Sequence, residues 1–218
     1  MKVAFSHDWL NGMRGGEKCL EAMIDLFPNA QMYTLIHEKG KVSNAIESLP
    51  IHTSWLQHLP LGVSHYKHYL PFFPQIVQTL KPNDTDIIIS TNHCVAKSIP
   101  KPSPQTLHLC YCFTPMRYAW LFFEEYFGNY PGPIKGLLRS ILGYLREWDK
   151  ETASSVTQFV AISEHIQKRI ASCYEREATV IYPPVDTLFY TLGPETSRDT
   201  YLLVSALVPY KRVDLAVD

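Results

Sequence analysis

The chain has 218 residues, of which 46% are hydrophobic and 19% charged, with 10 glycines and 16 prolines. This composition excludes disordered and fibrous proteins and leaves room for one complete domain and part of another. The 20 lysines and arginines nearly balance the 21 aspartates and glutamates, so a net charge of −1 predicts no nucleic-acid partner and only local anion sites.

The cysteines and the apolar runs of the sequence predict the cellular location of the protein. The five cysteines lack CxxC or CxxH spacing, which predicts reduced thiols, no metal site and a cytoplasmic location. The N-terminal run Val3 to Phe5 is too short for a signal peptide, and the most lipid-like segment, 134–148, is interrupted by Lys135, Arg139 and Arg146. We therefore expect a soluble protein, with peripheral contact to the inner face of the cell membrane left open.

Short apolar runs alternate with helical periodicity along most of the chain. Runs such as Ile87 to Ile89, rather than strict alternation, are typical of strands covered on both faces, so an α/β fold with a Rossmann-like, doubly wound parallel sheet is predicted. A long helix at 132–154 is expected to pack on the sheet, with a membrane-surface role as the alternative. Strands are predicted at 2–5, 32–36, 51–55, 86–90, 107–112, 159–162 and 179–182, and helical segments at 20–27, 64–80 and from Ser163 onward.

The C-terminal part predicts the start of a second unit. Residues 1–192 form the first domain, the polar stretch 193–200 is typical of a linker, and 201–218 would begin a second Rossmann-like domain with a strand at 201–205. A lone strand and helix cannot bury their own apolar face, so we expect the chain to be the front part of a longer protein. The alternative is that 201–218 adds a final strand and helix to the first domain.

Gly15 and Gly16 are candidates for an anion-binding loop, together with Glu17. They lie where the loop after the first strand meets a helix, a position at which free N–H groups and the helix dipole favour a phosphate. The alternative is a tight turn with Glu17 favourably placed in the first helical turn. The segment lacks the G-x-G-x-x-G spacing of a nicotinamide-binding protein.

Further candidates follow the ends of predicted strands. His7, followed by Asp8, comes after the first strand, and His93 comes after strand 86–90. Thr114, Arg117 and Tyr118 come after strand 107–112, and we list them as acceptor-side candidates. Because ligands of such sheets bind at the carboxyl ends of the strands, these side chains are expected to converge on one site. For each histidine, and for Tyr118, a structural role is the alternative.

Several conspicuous side chains receive structural interpretations. Trp120 is expected in the core, and Asp149 and Glu151 on a solvated helix face rather than as a catalytic carboxylate pair. His65 and His68 have no carboxylate or cysteine nearby, so they predict a surface helix that meets an acceptor or lipid rather than a metal site.

Lys211 and Arg212 stand at the predicted start of the second unit's helix. Cations oppose the dipole at a helix N-terminus, so a bound diphosphate would explain them. The alternative is two solvated basic residues.

Seven segments together resemble a known family. They are HDWL, GMRGGEK, STNHCVAK, YCFTPMRYAW, FVAIS, IYPPVD and SALVPYKRVDLAV, in that order over essentially the whole chain. They resemble GT-B fold glycosyltransferases of group 1, family 4, nearest to bacterial mannosyltransferase-like enzymes that build surface polysaccharides from nucleotide-sugars.

The resemblance implies an acceptor-side N-terminal domain facing a donor-binding C-terminal domain. It implies retaining transfer of mannose or a related hexose from a nucleotide-sugar to a lipid-linked or polysaccharide acceptor, without metal or cofactor. Lys211 matches the family's donor-phosphate lysine, and Gly15 and Gly16 match its glycine loop. With Arg212 and His93, Lys211 completes the candidate catalytic set.

The chain also departs from the family pattern. Phe113 stands where many relatives have a histidine that hydrogen-bonds near the transferred sugar, which leaves that role to His93 or His7. Ala206 stands where an arginine is common, so either Arg212 replaces this arginine or fewer charges hold the phosphate. The family's Glu-x7-Glu segment is absent, which predicts that the chain alone is inactive. A non-catalytic carbohydrate or lipid-carrier binding module is the alternative, and a nucleotide-sugar epimerase would need the missing nicotinamide fingerprint.

Overall fold

A seven-stranded, fully parallel sheet organises the chain in a computed structural model that describes residues 1–193, 201–205, 207, 211 and 213–216. The strands are β1 (Val3–His7), β2 (Gln31–Thr34), β3 (Ile51–Thr53), β4 (Ile87–Asn92), β5 (Leu107–Cys112), β6 (Gln158–Ala161) and β7 (Ala178–Val180). Their order in the sheet is β3-β2-β1-β4-β5-β6-β7, so the strand order reverses between β1 and β4. The predicted Rossmann-like, doubly wound sheet is confirmed.

The central strands are buried on both faces, as their unbroken apolar runs predicted. In β1 all five residues are buried. Ala4 belongs to a core cluster on one face that includes Leu145, whereas Phe5 belongs to a second cluster with Leu20. A third cluster joins β6, through Phe159, to the helix that follows it. Two covered faces explain why no alternating polar pattern is seen.

Seven α-helices accompany the strands in the described part of the chain. They are α1 (Gly15–Ile24), α2 (Asn44–Glu47), α3 (Phe73–Val77), α4 (Arg117–Trp120), α5 (Phe123–Phe127), α6 (Gly132–Thr152) and α7 (Glu164–Tyr174). Short 3₁₀ helices lie at Trp55–His58, Tyr66–Phe72, Ala96–Ser98, Ala153–Ser155 and Val213–Ala216. The predicted start of α7 is confirmed, because the Ser163 hydroxyl accepts a hydrogen bond from the N–H of Ile166.

The long helix α6 packs on the core only in its second half. Leu142 and Leu145 are buried, but Ile134 is 44% exposed and Leu137 is 62% exposed. The expected packing of this helix is therefore confirmed for its second half, whereas its first turns leave apolar side chains exposed. Among the described residues, no helix is both long and apolar enough to cross a lipid bilayer.

Asp149 corrects a sequence prediction. Its side chain is fully buried and forms an ion pair with the equally buried Lys97, with 2.9 Å between Nζ and Oδ1. Its other oxygen accepts hydrogen bonds from Trp120 Nε1 at 2.8 Å and from the Tyr174 hydroxyl at 2.9 Å. Only Glu151 lies on the exposed face predicted for both. The expected packing of Trp120 against the core is confirmed.

The described C-terminal residues do not form the strand predicted at 201–205. Residues 201–205 are exposed and form no strand, and β7 is the edge of the sheet on its side. Arg212 lies outside the described residues. The division into 1–192, 193–200 and 201–218 stays a prediction.

Candidate functional site

A crevice of about 370 Å³ opens at the carboxyl end of the sheet. It lies where the strand order reverses, which is where ligands bind in open α/β sheets. The loops after β1, β4, β5 and β6, the segment after β7 and the start of α1 provide its lining. The lining residues are His7, Trp9, Arg14, Gly15, Gly16, Glu17, Cys19, His93, Phe113, Thr114, Arg117, Ile162 and Pro183.

The structure brings most of the predicted site residues together. Seven of them line the crevice: His7, Gly15, Gly16, Glu17, His93, Thr114 and Arg117. Tyr118 does not, because its hydroxyl is directed into the core, 2.6 Å from the sulfur of Cys94. Burial raises the pKa of this hydroxyl well above its ordinary value. Lys211 is exposed and is not part of the crevice lining.

His65 and His68 lie elsewhere, exposed at and within the 3₁₀ helix Tyr66–Phe72. The prediction of a surface segment is confirmed for them. Among the described residues, no cluster of histidine, cysteine, aspartate or glutamate is arranged to hold a metal ion.

Gly16 allows a close approach at the start of α1. A Cβ atom at this position would lie 3.2 Å from Cε2 of Phe113 and 3.7 Å from Cε1 of His7, whereas a Cβ atom at Gly15 would meet nothing within 4 Å. The absence of a side chain at Gly16 keeps a tight space beside Phe113 clear, whereas a side chain at Gly15 would meet open space. The result is an open path from the crevice to the first helical N–H groups, which have no acceptor within the helix.

Glu17 places a carboxylate at the N-terminus of α1, where a phosphate-binding site would have only N–H donors. Its carboxylate accepts the N–H of Arg14 at 3.0 Å, and Oε1 lies 3.5 Å from Nε2 of the buried His7. Burial raises the pKa of Glu17, but contact with His7 and backbone N–H groups outweigh it, so the pKa is below its ordinary value. An ionised carboxylate thus already occupies the positive end of the helix dipole. Glu17 lies in the first helical turn, as the turn interpretation expects, and a phosphate bound here would also need Arg14 or Arg117.

Asp8 holds the loop that follows β4. Its buried carboxylate accepts four backbone N–H groups, those of His93 at 2.8 Å, Cys94 at 3.0 Å, Val95 at 2.6 Å and Ala96 at 2.7 Å. It also lies 2.9 Å from Nδ1 of His93. Burial would raise the pKa of Asp8, but the charge and hydrogen bonds of His93 lower it to about 2.

The sequence analysis missed the structural role of Asp8 and the contribution of Trp9. Trp9 packs edge-on against His93, with ring centroids 4.6 Å apart. Asp8 and Trp9 directly follow β1 in the segment HDWL, so their position next to His7 in the sequence was the available signal. Nothing local showed that their partners would come from the loop after β4.

Comparison with known proteins gives a likeness in structure alone. No protein-family model and no curated protein matches the chain. The solved structures that it resembles include HepE of Anabaena in complex with UDP, at 14% identity, and with UDP and glucose, at 16% identity. Each has a TM-score of 0.51 and covers 89% of this chain, which spans 47% of the HepE chain. This likeness shows the fold that the two proteins share.

Proposed function

We propose that the chain is the acceptor-side part of a glycosyltransferase that uses a nucleotide-sugar. The observation that carries the proposal is the crevice at the strand-order reversal, lined by the open start of α1 and by two histidines. HepE, which has a similar fold, is described in complex with UDP and glucose, and this chain spans about half its length. A nucleotide-sugar bound partly by residues beyond this domain would place its sugar at such a crevice.

The finer form of the proposal rests on the motif resemblance. It is retaining, metal-independent transfer of mannose or a related hexose to a lipid-linked or polysaccharide acceptor, with Lys211 and Arg212 at the donor diphosphate. The main chemical requirement of that reaction is stabilisation of the departing diphosphate. The crevice supports only the acceptor side of this assignment, since its ionised Glu17 is a poor neighbour for a diphosphate.

The direct test is nucleoside diphosphate release by the intact polypeptide that contains this chain. UDP-glucose and GDP-mannose are supplied with candidate glycan or lipid-linked acceptors, and the product is identified by mass. Transfer that depends on an acceptor supports the proposal. Binding of an acceptor without release of diphosphate from any donor would contradict it and favour the carbohydrate or lipid-carrier binding module.

Lys211→Ala in the intact polypeptide should lower turnover by roughly 10²-fold, because one charge that stabilises the departing diphosphate is lost. Lys18→Ala is the control, since Lys18 is exposed on α1 and forms an ion pair with Glu21 at 2.8 Å. Wild-type turnover in Lys211→Ala would contradict the donor-phosphate assignment.

Gly16→Val should lower kcat/KM for sugar transfer by roughly tenfold or more, because the added side chain enters the space beside Phe113 and misplaces the bound sugar. Gly136→Val is the matched control, because a Cβ atom at this exposed helical glycine meets nothing within 4 Å. Equal activity of the two variants would show that the crevice is not the reacting site.

Peripheral membrane contact belongs to the same proposal. Its support is the exposed apolar surface formed by Tyr130, Ile134 and Leu137 at the start of α6, with Lys135 among them. Co-sedimentation with vesicles that contain anionic lipid tests it. Ile134→Ser with Leu137→Ser should abolish the binding, and equal sedimentation of this variant and the wild type would contradict the assignment.

A further inference from the structure

The ring of His93 is fixed on two sides at the edge of the crevice. Its Nδ1 atom lies 2.9 Å from Oδ2 of Asp8, and Trp9 packs edge-on against it with ring planes at 87°. The His93 side chain is 25% exposed, whereas that of Asp8 is fully buried. Asp8 and Trp9 therefore fix the orientation of the ring, and its remaining side is open to the crevice.

Asp8 cannot readily turn away from this contact. Its two carboxylate oxygens accept the N–H groups of residues 93, 94, 95 and 96. Removing these hydrogen bonds would leave several buried donors without partners. The carboxylate that faces His93 is thus held by the same loop that carries His93.

The chemistry of this contact determines where the imidazole proton resides. An ionised carboxylate only accepts hydrogen bonds, so Nδ1 of His93 must be the donor. In the neutral imidazole the other nitrogen, Nε2, then carries no hydrogen and is an acceptor. Nε2 of His93 makes no hydrogen bond to another described residue, and His93 lines the crevice.

His7 provides a contrast within the same crevice. Its Nδ1 atom lies 2.6 Å from the Thr91 hydroxyl, and Nε2 lies 3.5 Å from the Glu17 carboxylate. Both nitrogens of His7 therefore face protein groups, and its side chain is almost completely buried. Of these two histidines, only His93 offers an acceptor atom to a ligand.

We infer that Asp8 is a positioning residue that holds His93 in its Nδ1–H tautomer, so that Nε2 accepts a hydrogen bond from a sugar hydroxyl bound in the crevice. This inference rests on the proposed function for the identity of the ligand. A hydroxyl fits because it can donate a proton to Nε2, whereas the oxygens of a fully ionised phosphate only accept.

The tautomer can be measured on the chain itself, without any activity. Nitrogen-15 NMR of the histidine-labelled protein is recorded at mildly alkaline pH, where an ordinary imidazole is neutral. His93→Gln identifies the His93 resonances. A protonated Nδ1 and an unprotonated Nε2 support the inference, and a protonated Nε2 or an even mixture of tautomers overturns it. Because this readout uses the wild-type protein, it does not depend on whether Asp8 variants fold.

Activity of the intact polypeptide tests the role of Nε2. His93→Leu should lower kcat/KM with UDP-glucose by roughly tenfold or more, and His93→Gln, whose side-chain oxygen still accepts, should recover part of the loss. His165→Leu, at an exposed position on α7, is the control. Equal losses in His93→Leu and His93→Gln, or wild-type activity in both, would overturn the role.

A second assay shows whether the hydroxyl belongs to the transferred sugar or to the acceptor. If the hydroxyl belongs to the transferred sugar, the rate of UDP-glucose hydrolysis without acceptor is lower in His93→Leu than in the wild type. If the hydroxyl belongs to the acceptor, only the KM for the acceptor rises. Either result supports the inference. If no donor reacts at all, the proposed function fails, while the NMR measurement still decides the tautomer.

Discussion

Lys97→Met is expected to lower the free energy of unfolding by about 3–5 kcal/mol, because it leaves a buried carboxylate without its counter-ion. The side chains of Lys97 and Asp149 are both 0% exposed, and Nζ lies 2.9 Å from Oδ1. Methionine keeps much of the length of lysine, so the loss of charge and not a cavity dominates the effect.

The surroundings of the pair explain why no other group can compensate. The ammonium of Lys97 also donates to the main-chain carbonyl of Asp149 at 2.6 Å and to the Thr152 hydroxyl at 3.0 Å. The remaining oxygen of Asp149 is already bound by Trp120 and Tyr174. In Lys97→Met the negative charge stays buried, and its remaining hydrogen-bond donors among the described residues, Trp120 and Tyr174, are neutral.

Urea unfolding followed by tryptophan fluorescence measures the effect. Lys150→Met, next to Asp149 on α6, is the control, because its ion pair with Glu175 joins side chains that are 40% and 73% exposed. That control should change stability by no more than about 1 kcal/mol. Lys97→Met with Asp149→Leu should recover part of the loss, since no unpaired charge then remains. A Lys97→Met variant as stable as Lys150→Met would contradict this account.

Asp8→Ala should lower the free energy of unfolding by about 4 kcal/mol or more, because three buried and one partly buried backbone N–H groups lose their acceptor at once. Asp8→Asn should cost less, since its amide oxygen still accepts some of these bonds. Asp25→Asn, at an exposed position after α1, is the control and should lie within about 0.5 kcal/mol of the wild type.

The pH dependence gives a second, independent signature of Asp8. Its pKa is about 2 in the folded protein, below the ordinary value of 3.8, because His93 outweighs the effect of burial. A lowered folded pKa stabilises the protein above the unfolded pKa and ceases to do so as the pH falls through the folded pKa. Asp8 therefore contributes roughly 2 kcal/mol at neutral pH, which is lost as the pH falls from about 4 to about 2.

The difference in unfolding free energy between the wild type and Asp8→Asn isolates this contribution from that of Glu17, whose pKa is also lowered. This difference in unfolding free energy should become smaller as the pH falls toward about 2. A difference that stays constant between neutral and acidic pH would show that the Asp8 carboxylate has no depressed pKa.

The sequence by itself determined the fold class and predicted several of the side chains that line the crevice. Runs such as Ile87 to Ile89 predicted strands covered on both faces, because burial on both sides removes the alternation of polar residues. In a parallel sheet the loops after the strands share one edge, so His7, His93 and Thr114 could be placed together without knowledge of any contact. Local patterns suffice for these features because they depend on the direction and the burial of each strand.

Only the tertiary structure decided which polar groups are paired. Lys97 contacts residues 52 and 55 positions away, and Asp8 contacts the loop 85 to 88 positions away. The hydroxyl of Tyr118, expected at the acceptor, instead meets Cys94 in the core. A charged or polar residue has the same local signature whether it is solvated or paired across the fold. Its partner is set by how helices and loops pack, and that packing leaves no periodic trace in the sequence.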